Sequence, residues 1–166
     1  MSTAALLFFP LAMALAGFYD LFTMTISNKL VLALAAGFFI VALAINLPIQ
    51  QLAMHVLAAF IVLAGAFILF ALRFIGGGDA KLAAATTLWL GFGLTVPYLV
   101  YASLFGGALT LAILALRHLP MMPILARFDW LERLHDRKTG IPYGIALAVA
   151  GVVTYSNSAI FLKLAS

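Results

Sequence analysis

The chain contains no cysteine, so it can form no disulfide and offers no thiolate to a metal. Charge is nearly as scarce: 8% of the 166 residues are charged, and only five residues are acids. A soluble domain carries about 25% charged residues, so a water-facing surface of ordinary extent cannot be built from this composition. The apolar runs lack the period-two alternation of a membrane β-barrel. Internal repeats and low-complexity tracts are absent beyond the apolar bias itself.

What remains is 66% hydrophobic residues and a mean hydropathy of +1.21, the composition of an integral membrane protein. Lipid offers no partner to backbone N–H and C=O groups, so unalternating runs of this length must be helices, and the expected class is all-α. At about 20 residues per span, the chain holds about six transmembrane helices in a single polytopic domain over residues 1–166. The runs place them at Ala4 to Ile26, Leu30 to Leu47, Leu52 to Leu72, Ala80 to Val96, Tyr98 to Leu116 and Tyr143 to Leu162. Ala14-Leu15-Ala16 is similar to a signal-peptide cleavage site, but no basic segment leads it and the apolar run continues toward Ile26. It is read as the first span.

The net charge of +4 would suggest nucleic acid in a soluble protein; here the basic residues flank spans and report topology instead. Lys29 lies in the first connection, Arg73 and Lys81 in the third, and Arg117, Arg127, Arg133, Arg137 and Lys138 in the fifth, whereas the second and fourth hold none. The charged connections are therefore expected in the cytoplasm, with both termini outside. In the long fifth connection, Ile124, Leu125, Phe128 and Leu131 share one face at helical spacing, which predicts an amphipathic helix in the membrane interface, bracketed by Pro120, Pro123 and Pro142.

Three of the five acids, Asp129, Glu132 and Asp136, sit in that loop. Asp20 and Asp79 instead adjoin apolar runs, and the topology brings both to the cytoplasmic face. A carboxylate at membrane depth costs roughly 3 kcal/mol or more, which makes it a functional candidate by default. If the first helix runs to Ile26, Asp20 lies about 9 Å inside its end and should face the bundle interior. Two adjacent carboxylates share a proton, so one can take a proton from attacking water while the other protonates the oxyanion or the leaving amine. Peptide hydrolysis by this route requires neither a metal nor a cofactor.

Gly76, Gly77 and Gly78 precede Asp79 and permit positive φ or close approach of another backbone, as a substrate strand would need. Lys81 either stabilises the ionised pair or extends to the headgroups, the latter being favoured. Asn28 is read as the end of the first helix, with orientation of substrate as the alternative. A Gly-rich turn before an aspartate is also an ordinary helix cap, and Asp20 alone could be a structural carboxylate paired with Lys29, Lys81 or a backbone amide. The shared membrane face favours catalysis.

Gly76-Gly77-Gly78-Asp79-Ala80-Lys81-Leu82 resembles the Gly-x-Gly-Asp-x-Lys signature of the type IV prepilin peptidases. Asp20, followed by Ile26-Ser27-Asn28, is similar to that family's first aspartate and its Ile-Pro-Asn, with Ser27 in place of proline and no basic residues between Leu21 and Thr25. Ile141-Pro142-Tyr143-Gly144-Ile145-Ala146 is similar to the approach to the family's last helix. The resemblance implies an aspartic endopeptidase of the bacterial inner membrane, with Asp20 and Asp79 as the catalytic pair. It would cut the leader from a pilin precursor at the cytoplasmic face, with the pilus assembly machinery as a further partner. Larger members add a cysteine-rich zinc-binding domain with methyltransferase activity. This chain has neither the cysteines nor the loop length, and is similar to the small branch that serves Flp/Tad pili.

Two other readings stay open. Tyr19-Asp20 with Gly78-Asp79 superficially satisfies the pattern of presenilin-like proteases, and a small proton- or cation-coupled transporter could use the same aspartates. Among the other polar residues, His55 is expected at the outer interface, Asp129 and Arg133 as a surface pair, Trp130 as an interfacial anchor, and Gly65, Gly106 and Gly107 as close helix contacts. Asp129, Glu132 and His135 fan around a helix and do not form a metal set.

Overall fold

The computed structural model describes residues 3–120 and 127–165. These form eight helices and no strand: α1 (Thr3–Thr23), α2 (Asn28–Ala44), α3 (Ile49–Ala71), α4 (Gly77–Leu90), α5 (Phe92–His118), α6 (Asp129–His135), α7 (Tyr143–Tyr155) and α8 (Ala159–Ala165). The all-α membrane class stands. Three helices, α1, α3 and α5, are long and apolar enough to cross a bilayer, and α7 with α8 would make a fourth crossing bent by 54°. Helix α2 is apolar but has 17 residues, and α4 has 14. At 1.5 Å per residue, α4 spans about 21 Å, short of the roughly 30 Å hydrocarbon core. The structure therefore does not present six full spans.

Helix ends follow local chemistry that hydropathy does not report. Helix α1 stops at Thr23 because Met24 takes a left-handed φ of 53°, its amide bonding to the Asp20 carbonyl at 2.8 Å. Asp20 thus lies three residues from the helix end, about 4.5 Å by helical rise, nearer the margin than a helix running to Ile26 would put it. Ser27, where the resembling motif has proline, caps α2, its Oγ accepting the Lys29 amide at 3.2 Å. Asn28 consequently begins α2 and does not end α1. Helix α3 closes on Arg73, φ 63°, with Phe74 N–H bonded to the Leu69 carbonyl at 2.9 Å.

The fourth connection, expected around Gly91 to Pro97 with the fourth run reaching Val96, narrows to Gly91, whose φ of 75° is inexpensive only for glycine. Pro97 lies inside α5. Near a helix start it removes one intrahelical bond and leaves the rest of the ladder intact.

Helix α4 is the centre of the bundle, with Ala80 and every residue from Leu82 to Leu90 buried. In lipid the hydrophobic effect gives helices little reason to associate, so van der Waals packing of small residues must do so, and Ala80, Ala83, Ala84 and Ala85 let α3, α2 and α7 come close. Trp89 anchors one half of this core. Its ring lies 5.3 Å from Phe9 and 6.0 Å from Phe38, and its Nε1–H donates to the Leu34 carbonyl at 2.9 Å.

His55 is buried beside that cluster rather than interfacial. The end of α4 leaves its last carbonyls without following amides, and His55 Nδ1–H donates to one of them, Leu88, at 2.8 Å. Its ring stacks on Phe38 at 5.4 Å. Of the glycines expected to bring helices together, only Gly106 does so, facing the Tyr143 ring; Gly65 and Gly107 have open space at their Cβ positions.

Candidate active site

Asp20 points from α1 into the bundle and is 5% exposed. Its Oδ2 accepts the backbone N–H of Gly144, in the first turn of α7, at 2.7 Å. A Cβ on Gly144 would lie 2.7 Å from that oxygen and 2.8 Å from the Asp20 Cβ, so the carboxylate and any larger residue at 144 exclude each other. Sequence reasoning placed Gly144 in a family-like stretch without giving it a role; its signal was the small residue just after Pro142, at a helix start.

Asp79 lies in the first turn of α4, half-buried, with its Oδ2 turned back toward the Gly76 backbone. The two carboxylates are 59 positions apart in the chain, and α1 and α4 bring them to the same end of the bundle. None of Gly76, Gly77 or Gly78 has positive φ. Their use is close approach instead. A Cβ on Gly76 would stand 2.9 Å from Asp79 Oδ2, one on Gly77 3.2 Å from the Phe70 ring, and one on Gly78 3.1 Å from the Ile26 Cβ. The turn before α4 is thus pressed against the segment after α1, which draws the two aspartate-bearing helices together.

Lys81 reinforces the same junction. Its Nζ donates to Asn28 Oδ1 at 3.0 Å. Asp20, Asn28, Gly76 to Gly78, Asp79 and Lys81 therefore meet at one end of the bundle, and Gly144 joins them.

An apolar groove of about 610 Å³ runs from Asp79 between α3, α4, α5 and α7, bordered by Val62, Gly65, Leu69, Val96 and Leu99 among others. Among the described residues, Asp79 is the only carboxylate on its wall. A second hollow, of about 400 Å³, lies at the opposite end of α4 beside His55 and Gly91, and no acid lines it among the described residues.

A family model described as the type IV leader peptidase family matches residues 7–111, which takes in both aspartates and the Gly76–Lys81 turn. The chain belongs to the type IV leader peptidase family. It is accordingly a membrane protease by family, and an apolar groove with a carboxylate on its wall is a geometry such a leader peptidase can use. No match to this chain was found among curated proteins or solved structures.

Helix α6 covers this end of the peptidase. Trp130 packs on Phe22 of α1 at 5.2 Å between ring centroids, and Arg133 donates to the Phe22 carbonyl rather than pairing with Asp129. Ile124 and Leu125, half of the expected amphipathic stripe, lie outside the described residues. The described part of the fifth connection holds a seven-residue helix docked on α1.

Proposed function

We propose that the protein is an aspartic endopeptidase that removes the leader of a type IV pilin precursor of the Flp/Tad kind, acting as a peptidase without methyltransferase and as a single polytopic domain. Asp20 and Asp79 are the catalytic pair. One carboxylate takes a proton from water as it attacks the scissile carbonyl, and the other gives its proton to the oxyanion or the departing amine. Oδ2 of Asp20 is engaged by Gly144, which leaves Oδ1 as the oxygen free of that bond.

The observation that carries this reading is a mostly apolar groove with Asp79 on its wall, at the junction where the turn before α4 presses on the segment that follows Asp20. A pilin precursor has matching parts, a polar leader followed by an apolar helix. The helix lies along the groove from the bilayer side, which places the junction between leader and helix at Asp79. Gly76, Gly77 and Gly78 shape the turn beneath that junction, and Lys81 with Asn28 holds it against α1. The basic connections assign this end to the cytoplasmic face of a bacterial inner membrane, with both termini outside.

The deciding experiment is cleavage of a co-reconstituted Flp-type precursor by the unmodified protein, Asp20→Asn and Asp79→Asn. Each substitution is expected to abolish leader removal. Cleavage that survives both would refute the aspartyl mechanism and turn attention to transport.

A further inference from the structure

Arg117, in the last turn of α5, is 9% exposed, and among the described residues its guanidinium partners are neutral oxygens. Removing a guanidinium from water is costly unless its donors are met. Here Nε–H donates to the Leu134 carbonyl at 2.7 Å, and Nη2–H groups donate to the carbonyls of Thr139 at 3.1 Å and Gly140 at 3.0 Å. The first acceptor belongs to α6 and the other two to the strand of chain leading into α7. A rigid, planar fork can bridge acceptors in two segments at once; a lysine ammonium on a flexible stem cannot match that geometry.

The bridged segment leads directly to Gly144. Four residues after Gly140 the chain has passed the buried Pro142 and entered α7, where the Gly144 amide meets Asp20. Helix α5 supports this path at successive turns. Gly106 leaves room for the Tyr143 ring, Thr110 Oγ1 shares a 2.9 Å hydrogen bond with the Tyr143 hydroxyl, and Arg117 holds the backbone at 139 and 140. Positions 106, 110, 113 and 117 follow helical spacing, so one face of α5 acts as a rail for the start of α7.

We propose that Arg117 is a positioning residue for catalysis, which by fixing the 139–140 backbone holds the Gly144 amide on Asp20 and so sets the rotamer of that carboxylate. The inference rests on the aspartyl reading of the site. Arg117 itself touches neither aspartate and no reacting atom.

The test uses the full-length protein in lipid nanodiscs, labelled with carbonyl-¹³C tyrosine and ¹⁵N glycine. Tyr143-Gly144 is the only Tyr-Gly pair in the sequence, so this scheme selects one amide. In the unmodified protein its proton should resonate downfield, as a short bond to a carboxylate requires. In Arg117→Lys it should move upfield, with kcat for precursor cleavage falling about 10- to 100-fold, the scale of a slightly misplaced catalytic group, and KM unchanged. A Gly144 resonance that stays in place, or an unaltered kcat, would overturn the proposal. If Arg117→Lys cannot be purified, Arg117→Ala assayed in membranes takes its place. Ethylguanidinium but not ethylammonium should then restore cleavage, and rescue by both or by neither counts against the inference. The amide is read without substrate, so the two ideas fail differently. A wrong aspartyl reading shows as cleavage surviving Asp20→Asn, a wrong Arg117 role as an unmoved resonance.

Discussion

The Gly144 amide donates to Asp20 Oδ2 at 2.7 Å across 124 positions of sequence, and the space for that contact exists only because residue 144 has no side chain. Gly144→Ala would put a methyl group 2.9 Å from the Asp20 Cγ. Either α7 moves outward or the carboxylate rotates away, and both disturb the pair. Overpacking of this kind costs about 1–3 kcal/mol. The expected result is loss of detectable precursor cleavage together with a lowered unfolding midpoint in detergent, measured on the same preparation. Full activity in the alanine variant would show that Asp20 does not need this amide.

The Lys81–Asn28 bond joins the helix that carries Asp79 to the segment that follows Asp20. Both side chains are exposed, so the bond adds little to global stability and its effect should be local. Lys81→Met and Asn28→Ala should each slow cleavage moderately, and the double variant should be hardly slower than either single one. A double-mutant cycle on kcat/KM should return a coupling of about 0.5–1 kcal/mol. Additive losses would separate the two residues and return Lys81 to the lipid headgroups.

Much of this arrangement could be read from the chain, and what escaped has identifiable causes. Composition and run length suffice for an all-helical membrane protein, because lipid forbids other backbone solutions. The Gly76–Lys81 turn stands out for its polarity in an apolar chain. Hydropathy does not register the left-handed residues Met24 and Gly91, which move two helix boundaries. Nor does it separate a bilayer-crossing run from α4, which is apolar because other helices enclose it. His55 was misplaced for a related reason: its partner is a carbonyl exposed by the break at Gly91, and that break depends on backbone conformation. The roles of Arg117 and Gly144 are not legible in the chain, because Arg117 meets backbone carbonyls 17 to 23 positions on and the Gly144 amide meets the Asp20 carboxylate 124 positions away, contacts that no motif encodes.

At the other end of α4, Gly91 and His55 depend on each other. A Cβ on Gly91 would sit 2.9 Å from His55 Cε1 and Nε2, at a backbone φ of 75° that disfavours every other residue. His55→Ala leaves the Leu88 carbonyl buried without its donor, at a cost of about 1–3 kcal/mol, and opens a void beside Phe38. Both His55→Ala and Gly91→Ala should lower the unfolding midpoint. Because Asp79 is a full helix length away, protein that remains folded should cleave at the normal kcat. A kcat defect in the folded fraction would mean that the α4–α5 break is coupled to the active end.

Gly65 tests the groove itself. It borders the groove, and no heavy atom lies within 4 Å of where its Cβ would be, so a large side chain there meets open space rather than the protein core. Gly65→Phe should therefore leave the unfolding midpoint unchanged while occupying the path assigned to the substrate's apolar helix. For the complete precursor, KM should rise by about tenfold or more, the equivalent of losing roughly 1.4 kcal/mol of binding. A short soluble peptide that carries the scissile bond but not the apolar helix should be cut at the same kcat and KM by both proteins, since the aspartates are untouched. Equal impairment on both substrates would place the helix elsewhere and the phenylalanine's effect at the catalytic pair. No effect on either would leave the groove to lipid.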